Sequence, residues 1–120
     1  MKAVIFDDVL ATQERLYRVA GLELAFFEHG DQAEAVVAQE RPDLIFVDYT
    51  MDAQRSGAEV IIALRCFQGA PRLRIIAISS DREHNERMLV AGADDALPKS
   101  HLRGYLKKLA ERADMAARLR

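Results

Sequence analysis

The chain has 120 residues, half of them hydrophobic, enough for one ordinary core and too few for two comfortable domains. Nineteen acidic against seventeen basic side chains leave a formal charge of -2, so no global field draws it to nucleic acid or an anionic membrane, and partners must be recognised by a local surface. One cysteine excludes an internal disulfide, no apolar run approaches the roughly 20 residues of a bilayer span and no secretory-type leader opens the chain, which leaves a single cytoplasmic domain over residues 1–120 as the expectation.

The first element is a strand over residues 3–6, an apolar run without the polar alternation that leaves one face wet, and so a parallel strand buried on both sides. A helical pattern follows at about residues 11–20. Residues 22–27 form a second strand, and Glu23 within it suits a place nearer a sheet edge. The next helix covers residues 31–40 and stops at Pro42, which cannot continue it. Residues 44–47 repeat the buried-strand pattern and residues 57–67 the helical one. Residues 74–78 make the fourth strand, followed by a helix over residues 82–91 that Gly92 stops. Residues 96–97 close the sheet as a short last strand. The final helix runs from about His101 towards Ala117, with Ser100 as N-cap and Leu102, Leu106, Leu109 and Ala113 on one face. Strict alternation of strand and helix predicts an α/β fold: a flavodoxin-like, doubly wound sheet of five parallel strands in the order 2-1-3-4-5, with five helices.

In such a sheet ligands bind beyond the carboxyl ends of the strands, where the strand order reverses. Asp7 and Asp8 end the first strand and Asp48 ends the third, and those two strands are neighbours at that point. Three carboxylates then converge in one crevice. Two like charges about 4 Å apart repel by roughly 4 kcal/mol at an effective dielectric near 20, so the cluster must bind protons or hold a cation. A hard divalent ion such as Mg2+ or Mn2+ answers that need. Mg2+ prefers a few carboxylates plus water and phosphate oxygens, which points towards phosphoryl chemistry. Ser79 closes the fourth strand and Lys99 follows the fifth, adding a hydroxyl and an ammonium at the same edge. An aspartate placed there can attack phosphorus and carry an acyl phosphate, provided cations screen the approach of one anion to another.

The motifs VIFDD at residues 4–8, RPDLIFVD at residues 41–48, SGAEV at residues 56–60, IIAISS at residues 75–80 and AGADDALPK at residues 91–99 stand in order on the predicted elements. Together they resemble those of the response-regulator receiver domain, over essentially the whole chain. The resemblance implies that Asp48 is phosphorylated, that Asp8 is a direct metal ligand and Asp7 one acting mainly through water, and that the Thr50 backbone carbonyl is a further ligand. Lys99 would pair with the phosphoryl oxygens, Ser79 and Ser80 would join that binding, and Ser79 would be the switch hydroxyl. A histidine kinase or histidine phosphotransfer protein is the implied donor. The implied reader is a downstream protein or a covalently attached output domain, and the domain itself would be a monomer or weak homodimer without direct contact to nucleic acid. Its chemistry would be self-phosphorylation and slow self-dephosphorylation rather than enzymatic turnover.

Three positions depart from the family pattern. Asp52 stands where a proline is common and Gly57 comes one place late, which implies a one-residue insertion; Asp52 either alters ion affinity or kinase docking, or is a solvated loop residue. Lys99 is followed by Ser100 where the family has a proline, often after a cis bond. A cis bond between non-proline residues costs about 2.5 to 4 kcal/mol, so a trans bond with an altered loop, or strain, is expected. Ala96 occupies the place of an aromatic that turns inward with the switch hydroxyl in many receivers. The output surface is then expected to change by backbone movement around residues 79–82, or through Tyr105 as a substitute contact.

Other residues read more blandly. His29, His84 and His101 lack ligand spacing and read as surface residues, Cys66 as core, and Arg103, Lys107, Lys108, Arg112, Arg118 and Arg120 as a solvated helix face. Thr50 and Asp81 lie where the family tunes access of the attacking water, and Tyr49 either shapes the kinase contact or packs. A phosphohydrolase of the haloacid dehalogenase type has a similar first strand, but it needs a second aspartate two places after the first, where Val9 stands. A pseudo-receiver that never carries phosphate is the main alternative, and a receiver cut from a longer regulator would also end at Arg120 inside a helical pattern.

Overall fold

The computed structural model describes residues 1–67 and 72–119, so Arg120, counted above with the basic face of the last helix, lies outside the described residues. Strands β1 (Lys2–Phe6), β2 (Glu23–Phe27), β3 (Leu44–Val47), β4 (Arg74–Ile78) and β5 (Asp95–Leu97) form one sheet. All its pairings are parallel and its order is β2-β1-β3-β4-β5, as expected. The three central strands carry the continuous apolar runs because both of their faces are covered: Val4, Ile5, Phe6, Ile45, Phe46, Val47, Ile75, Ile76 and Ile78 are all fully buried.

Helices α2 (Ala33–Glu40), α3 (Gly57–Cys66) and α4 (Arg82–Ala91) cover one face. There Val37, Val60, Ile61, Leu64 and Met88 pack on Val4, Phe6, Ile45, Val47 and Ile75. Helix α5 (Leu102–Arg118) covers the other face, with Leu102, Leu106 and Leu109 packed on Ile5, Phe46, Ile76 and Ile78. Alternation of side chains along each strand divides the residues between these two cores. No helix among the described residues is long and apolar enough to cross a membrane.

The structure corrects three expectations. The helix predicted over residues 11–20 is a 3-10 turn at Leu10–Thr12 followed by a single turn, α1 (Glu14–Tyr17). At about 100° per residue Leu10 and Val19 would face opposite ways on one helix, whereas the observed chain lets both Leu10 and Val19 meet the α5-side core and leaves Leu16 exposed. Ser100 is not an N-cap: Lys99–His101 form a 3-10 turn that runs straight into α5, whose first residue follows His101 without a side-chain cap. Lys99 reaches the carboxylates, and the turn it starts is held by backbone bonds, from the His101 N–H to the Pro98 carbonyl and from the Leu102 N–H to the Lys99 carbonyl. Cys66 is exposed, two residues beyond Leu64 and off the stripe of Val60, Ile61 and Leu64 that meets the sheet. Tyr105 meets Phe46 edge-on, 5.9 Å between ring centroids, in the core beneath α5. Ala96 packs on the opposite face of the sheet, with α3 and α4.

Candidate functional site

The register of the sheet builds the site. Phe6 pairs with Val47, and Val47 with Ala77, so the residues that follow them emerge at one edge. The Asp48 N–H donates to the Phe6 carbonyl at 2.9 Å and the Asp7 N–H to that of Phe27 at 3.0 Å, which extends the ladder into the site. Asp7 is fully buried. Its Oδ1 accepts from the Val9 and Leu10 amides at 2.9 and 3.0 Å, and this bond organises the 3-10 turn. Its Oδ2 lies 2.8 Å from Lys99 Nζ, an ion pair outside hydrogen-bond geometry. Asp48 Oδ1 accepts from the Tyr49 amide at 2.9 Å, and Oδ2 accepts from Lys99 Nζ at 3.2 Å. Each carboxylate thus commits one oxygen to backbone and turns the other towards a shared ammonium.

Half-exposed Asp8 completes a group in which Asp7, Asp8 and Asp48 each offer an oxygen within 4.8 Å of the others. Burial and then the neighbouring Asp7 raise the Asp48 carboxyl above the usual aspartate range, against the opposing pull of Lys99 and the Tyr49 amide. Burial alone would lower the Lys99 ammonium, but Asp7 and Asp48 outweigh it and hold it above the usual lysine range. Three hard oxygen donors with excess negative charge suit a divalent cation. Asp52 is exposed and outside this group.

Ser79 is buried at the end of β4, and its Oγ accepts from the Asp81 amide at 3.0 Å. Thr50 and Ser80 are exposed on the adjoining loops, and Ala96 is half-buried. All described peptide bonds are trans, including Lys99–Ser100, and the 3-10 turn at that point is the altered loop expected for it. Of the histidines His101 is exposed, while His29 and His84 are half-buried; none joins the carboxylate group.

Sequence reasoning missed three supports. Asn85, buried within α4, donates to the Ser79 and Leu97 carbonyls at 3.0 Å each. The signal was available: it lies three residues before Met88, on the face of the helix that meets the core. His84 stacks on Tyr49, with centroids 4.1 Å apart and planes 17° from parallel. Asp31, read as the start of α2, instead accepts from the Gln54 and Arg55 amides at 3.2 and 2.9 Å and holds the loop that carries Asp52. Arg55 closes this clamp through both oxygens of Glu34.

The Arg55 and Gln54 amides hold the Asp31 carboxyl below its usual range, and the Arg55 guanidinium does the same to Glu34. A carboxylate whose folded value is depressed contributes stability above its unfolded value, about 4, and loses it as pH falls through the folded value. In an acid titration the Gln54 and Arg55 amide resonances should therefore hold from about pH 7 to about pH 4 and move below that. An Asp31→Asn variant should lack the step; movement starting near pH 6 would contradict the clamp.

The profile of the response regulator receiver domain matches residues 5–116. The chain belongs to this receiver family. The receiver domain is 34% identical over 93 residues to the transcriptional regulatory protein PrrA of Mycobacterium tuberculosis, covering 78% of this chain and 40% of that protein. It is 35% identical over 81 residues to the phosphate regulon transcriptional regulatory protein PhoB of Rhizobium meliloti, covering 66% of this chain and 35% of PhoB. The chain therefore spans well under half the length of these curated relatives. Among solved structures, the receiver domain of the sensor histidine kinase PA1611 from Pseudomonas aeruginosa PAO1 aligns with a TM-score of 0.76 at 23% identity, covering 92% of this chain and 94% of that one. That structure has a magnesium ion coordinated in its active-site cleft. The chemotaxis protein CheY4 of Vibrio cholerae aligns with a TM-score of 0.74, also at 23% identity, over 93% and 97% of the two chains. These structural likenesses concern the fold of the receiver domain. Membership of the family makes it a signalling module of two-component systems.

Proposed function

We propose that this receiver domain, acting as one unit over its 120 residues, accepts a phosphoryl group on Asp48 in a reaction dependent on Mg2+ or Mn2+ and signals by a conformational change. The observation that carries the reading is the convergence of buried Asp7 and Asp48 on Lys99 Nζ at the carboxyl edge of the sheet. An Asp48 carboxylate oxygen attacks phosphorus, the phosphorus bond to the donor breaks, and an acyl phosphate remains on the chain. From a phosphohistidine donor, as on a histidine kinase or phosphotransfer protein, the broken bond is P–N and the leaving imidazole takes up a proton.

Asp7, Asp8, Asp48 and the Thr50 carbonyl are the residues that would hold the cation, which when bound neutralises charge on the transferring group. Lys99 turns its ammonium from the carboxylates to the phosphoryl oxygens, and Ser79 and Ser80 supply hydroxyls. Ser79 is the switch: a hydrogen bond to the new phosphoryl group draws its loop inward. With alanine at position 96, the change must travel without an aromatic rotation. The reader is a downstream protein or an output domain attached in a longer chain, a reading supported by the length of the transcriptional regulators PrrA and PhoB. The cytoplasm, where histidine kinases present phosphohistidine, is the proposed location, and a monomer or weak homodimer the proposed state.

The test is intact mass after incubation with a small phosphodonor and Mg2+. The wild-type chain should gain one phosphoryl group, while Asp48→Asn and a chelator control should gain none. No gain in the wild type, together with no beryllium fluoride response by NMR, would make the chain a pseudo-receiver.

A further inference from the structure

Resting on the phosphoacceptor reading, we propose that Asn85 is the positioning residue that carries the state of the Asp48 site into α4 and β5. Its amide is shared between two carbonyl oxygens that end neighbouring strands, that of Ser79 after β4 and that of Leu97 in β5, each at 3.0 Å. The Leu97 carbonyl also accepts from the Ser79 amide at 3.3 Å, so Ser79, Leu97 and Asn85 form one closed set of bonds.

Ser79 is tied to the start of α4 by a second route. The Asp81 amide donates to Ser79 Oγ, and the Asp81 carboxylate caps α4 by accepting from the Glu83 and His84 amides at 2.9 and 3.3 Å. The Asn85 backbone N–H donates to the Asp81 carbonyl at 3.2 Å. Movement of Ser79 towards Asp48 breaks or redirects the Oγ contact, because that oxygen must face the phosphoryl group. The carbonyl contact to Asn85 is free to persist. Asn85 is thus the connection through which α4 and the end of β5 follow Ser79.

The chemistry of position 85 supports this role. Only a side chain with two donors can serve both carbonyls; leucine would remove both donors and leave the Leu97 carbonyl only the longer bond from the Ser79 amide, and a carboxylate would repel them. Reversing the amide would set Oδ1 against two carbonyl oxygens, so the hydrogen-bond network defines its orientation. Oδ1 itself has no partner among the described residues although Asn85 is buried. An unpaired buried acceptor is unfavourable, and the two bonds donated by the same amide are what offset it. Ala96 leaves β5 without the large side chain that would otherwise link it to Ser79, and Met88, one turn beyond Asn85, packs in the same core as Ala96.

The test compares wild type with Asn85→Ala, each phosphorylated with a small donor and Mg2+, by intact mass and by amide chemical shifts. Both chains should gain one phosphoryl group and show shifted Tyr49 and Ser79 amides. In the wild type the amides of Glu83 to Met88 and of Ala96 and Leu97 should also move, and in Asn85→Ala those shifts should fall by about threefold or more. Equal shifts in a phosphorylated Asn85→Ala chain would overturn the inference and leave the phosphoacceptor reading intact. A wild type that gained no phosphoryl mass would overturn both.

A second readout needs no variant to fold. In the wild-type chain the Asn85 side-chain amide resonances should move on phosphorylation, while those of the exposed Gln39 should not. A stationary Asn85 amide in a phosphorylated chain would overturn the inference.

Discussion

Replacing Gly57 by alanine is expected to lower stability by about 2 to 3 kcal/mol and to shift the loop that carries Tyr49. A Cβ at this position would overlap the Asp48 carbonyl oxygen and come within 2.8 Å of both the Tyr49 Cα and Met88 Sδ. The sulfur can swing aside, but the two backbone atoms cannot. The Gly57 amide also donates to the Tyr49 carbonyl at 2.8 Å, so the start of α3 is bonded to the very segment it would have to push away. Because Asp48 Oδ1 is held by the Tyr49 amide, the displacement should reach the carboxylate and slow phosphoryl uptake as well. Urea denaturation and the rate of mass gain are the measurements. An unchanged midpoint would show that the loop yields at little cost.

Replacing Lys99 by methionine should cost about 2 kcal/mol at neutral pH in the presence of a chelator. The figure lies below the range for a fully buried pair because the lysine side chain is 23% exposed. Without the ammonium, fully buried Asp7 faces Asp48 with nothing between them to offset the repulsion. The sign of the pH dependence follows. Asp48 already binds its proton more readily in the folded chain than in the unfolded one, so its ionisation costs stability as pH rises through its folded value. Removing Lys99 enlarges that cost. The deficit of Lys99→Met should therefore shrink as pH falls towards about 4, as Asp48 takes up its proton, and should shrink on adding Mg2+ at neutral pH. In the wild type the contribution of Lys99 should persist up to the unfolded lysine value, about 10.4, and disappear only above it, since its folded value is raised. A deficit that stayed constant from about pH 7 to about pH 4 would assign Lys99 a packing role alone.

Both predictions concern contacts between residues remote in the chain, and this separates what could be read early from what could not. Strands β1, β3 and β4 were legible because a segment buried on both faces must be apolar at every position, a local property of the sequence. Their order was legible because a chain that alternates strand and helix has few sheets open to it. From that order the meeting of Asp7, Asp8 and Asp48 follows, since each carboxylate stands just past the end of its strand.

Failures came where a residue's part depends on what lies opposite. Residues 11–20 carry apolar side chains without a common stripe, and the chain reaches the α5-side core from a 3-10 turn and one helical turn instead. Ser100 has the side chain of a cap, yet it lies inside a 3-10 turn whose first residue, Lys99, reaches the two carboxylates. Cys66 has the chemistry of a core residue, and only the angle at which α3 lies on the sheet turns it outwards. Asp31 is bonded to amides 23 and 24 residues away, a pairing no local pattern encodes.

The amino-acid sequence by itself determined the layered α/β fold, the strand order and the edge at which the carboxylates meet, because burial on two faces and chain direction are written residue by residue. Only the tertiary structure decided which oxygen of each carboxylate faces Lys99, that Gly57 must lie against the backbone of Asp48 and Tyr49, and that Asn85 joins the ends of β4 and β5. Those are distances between segments, set by how helices rest on the sheet, and a one-dimensional pattern holds no record of them.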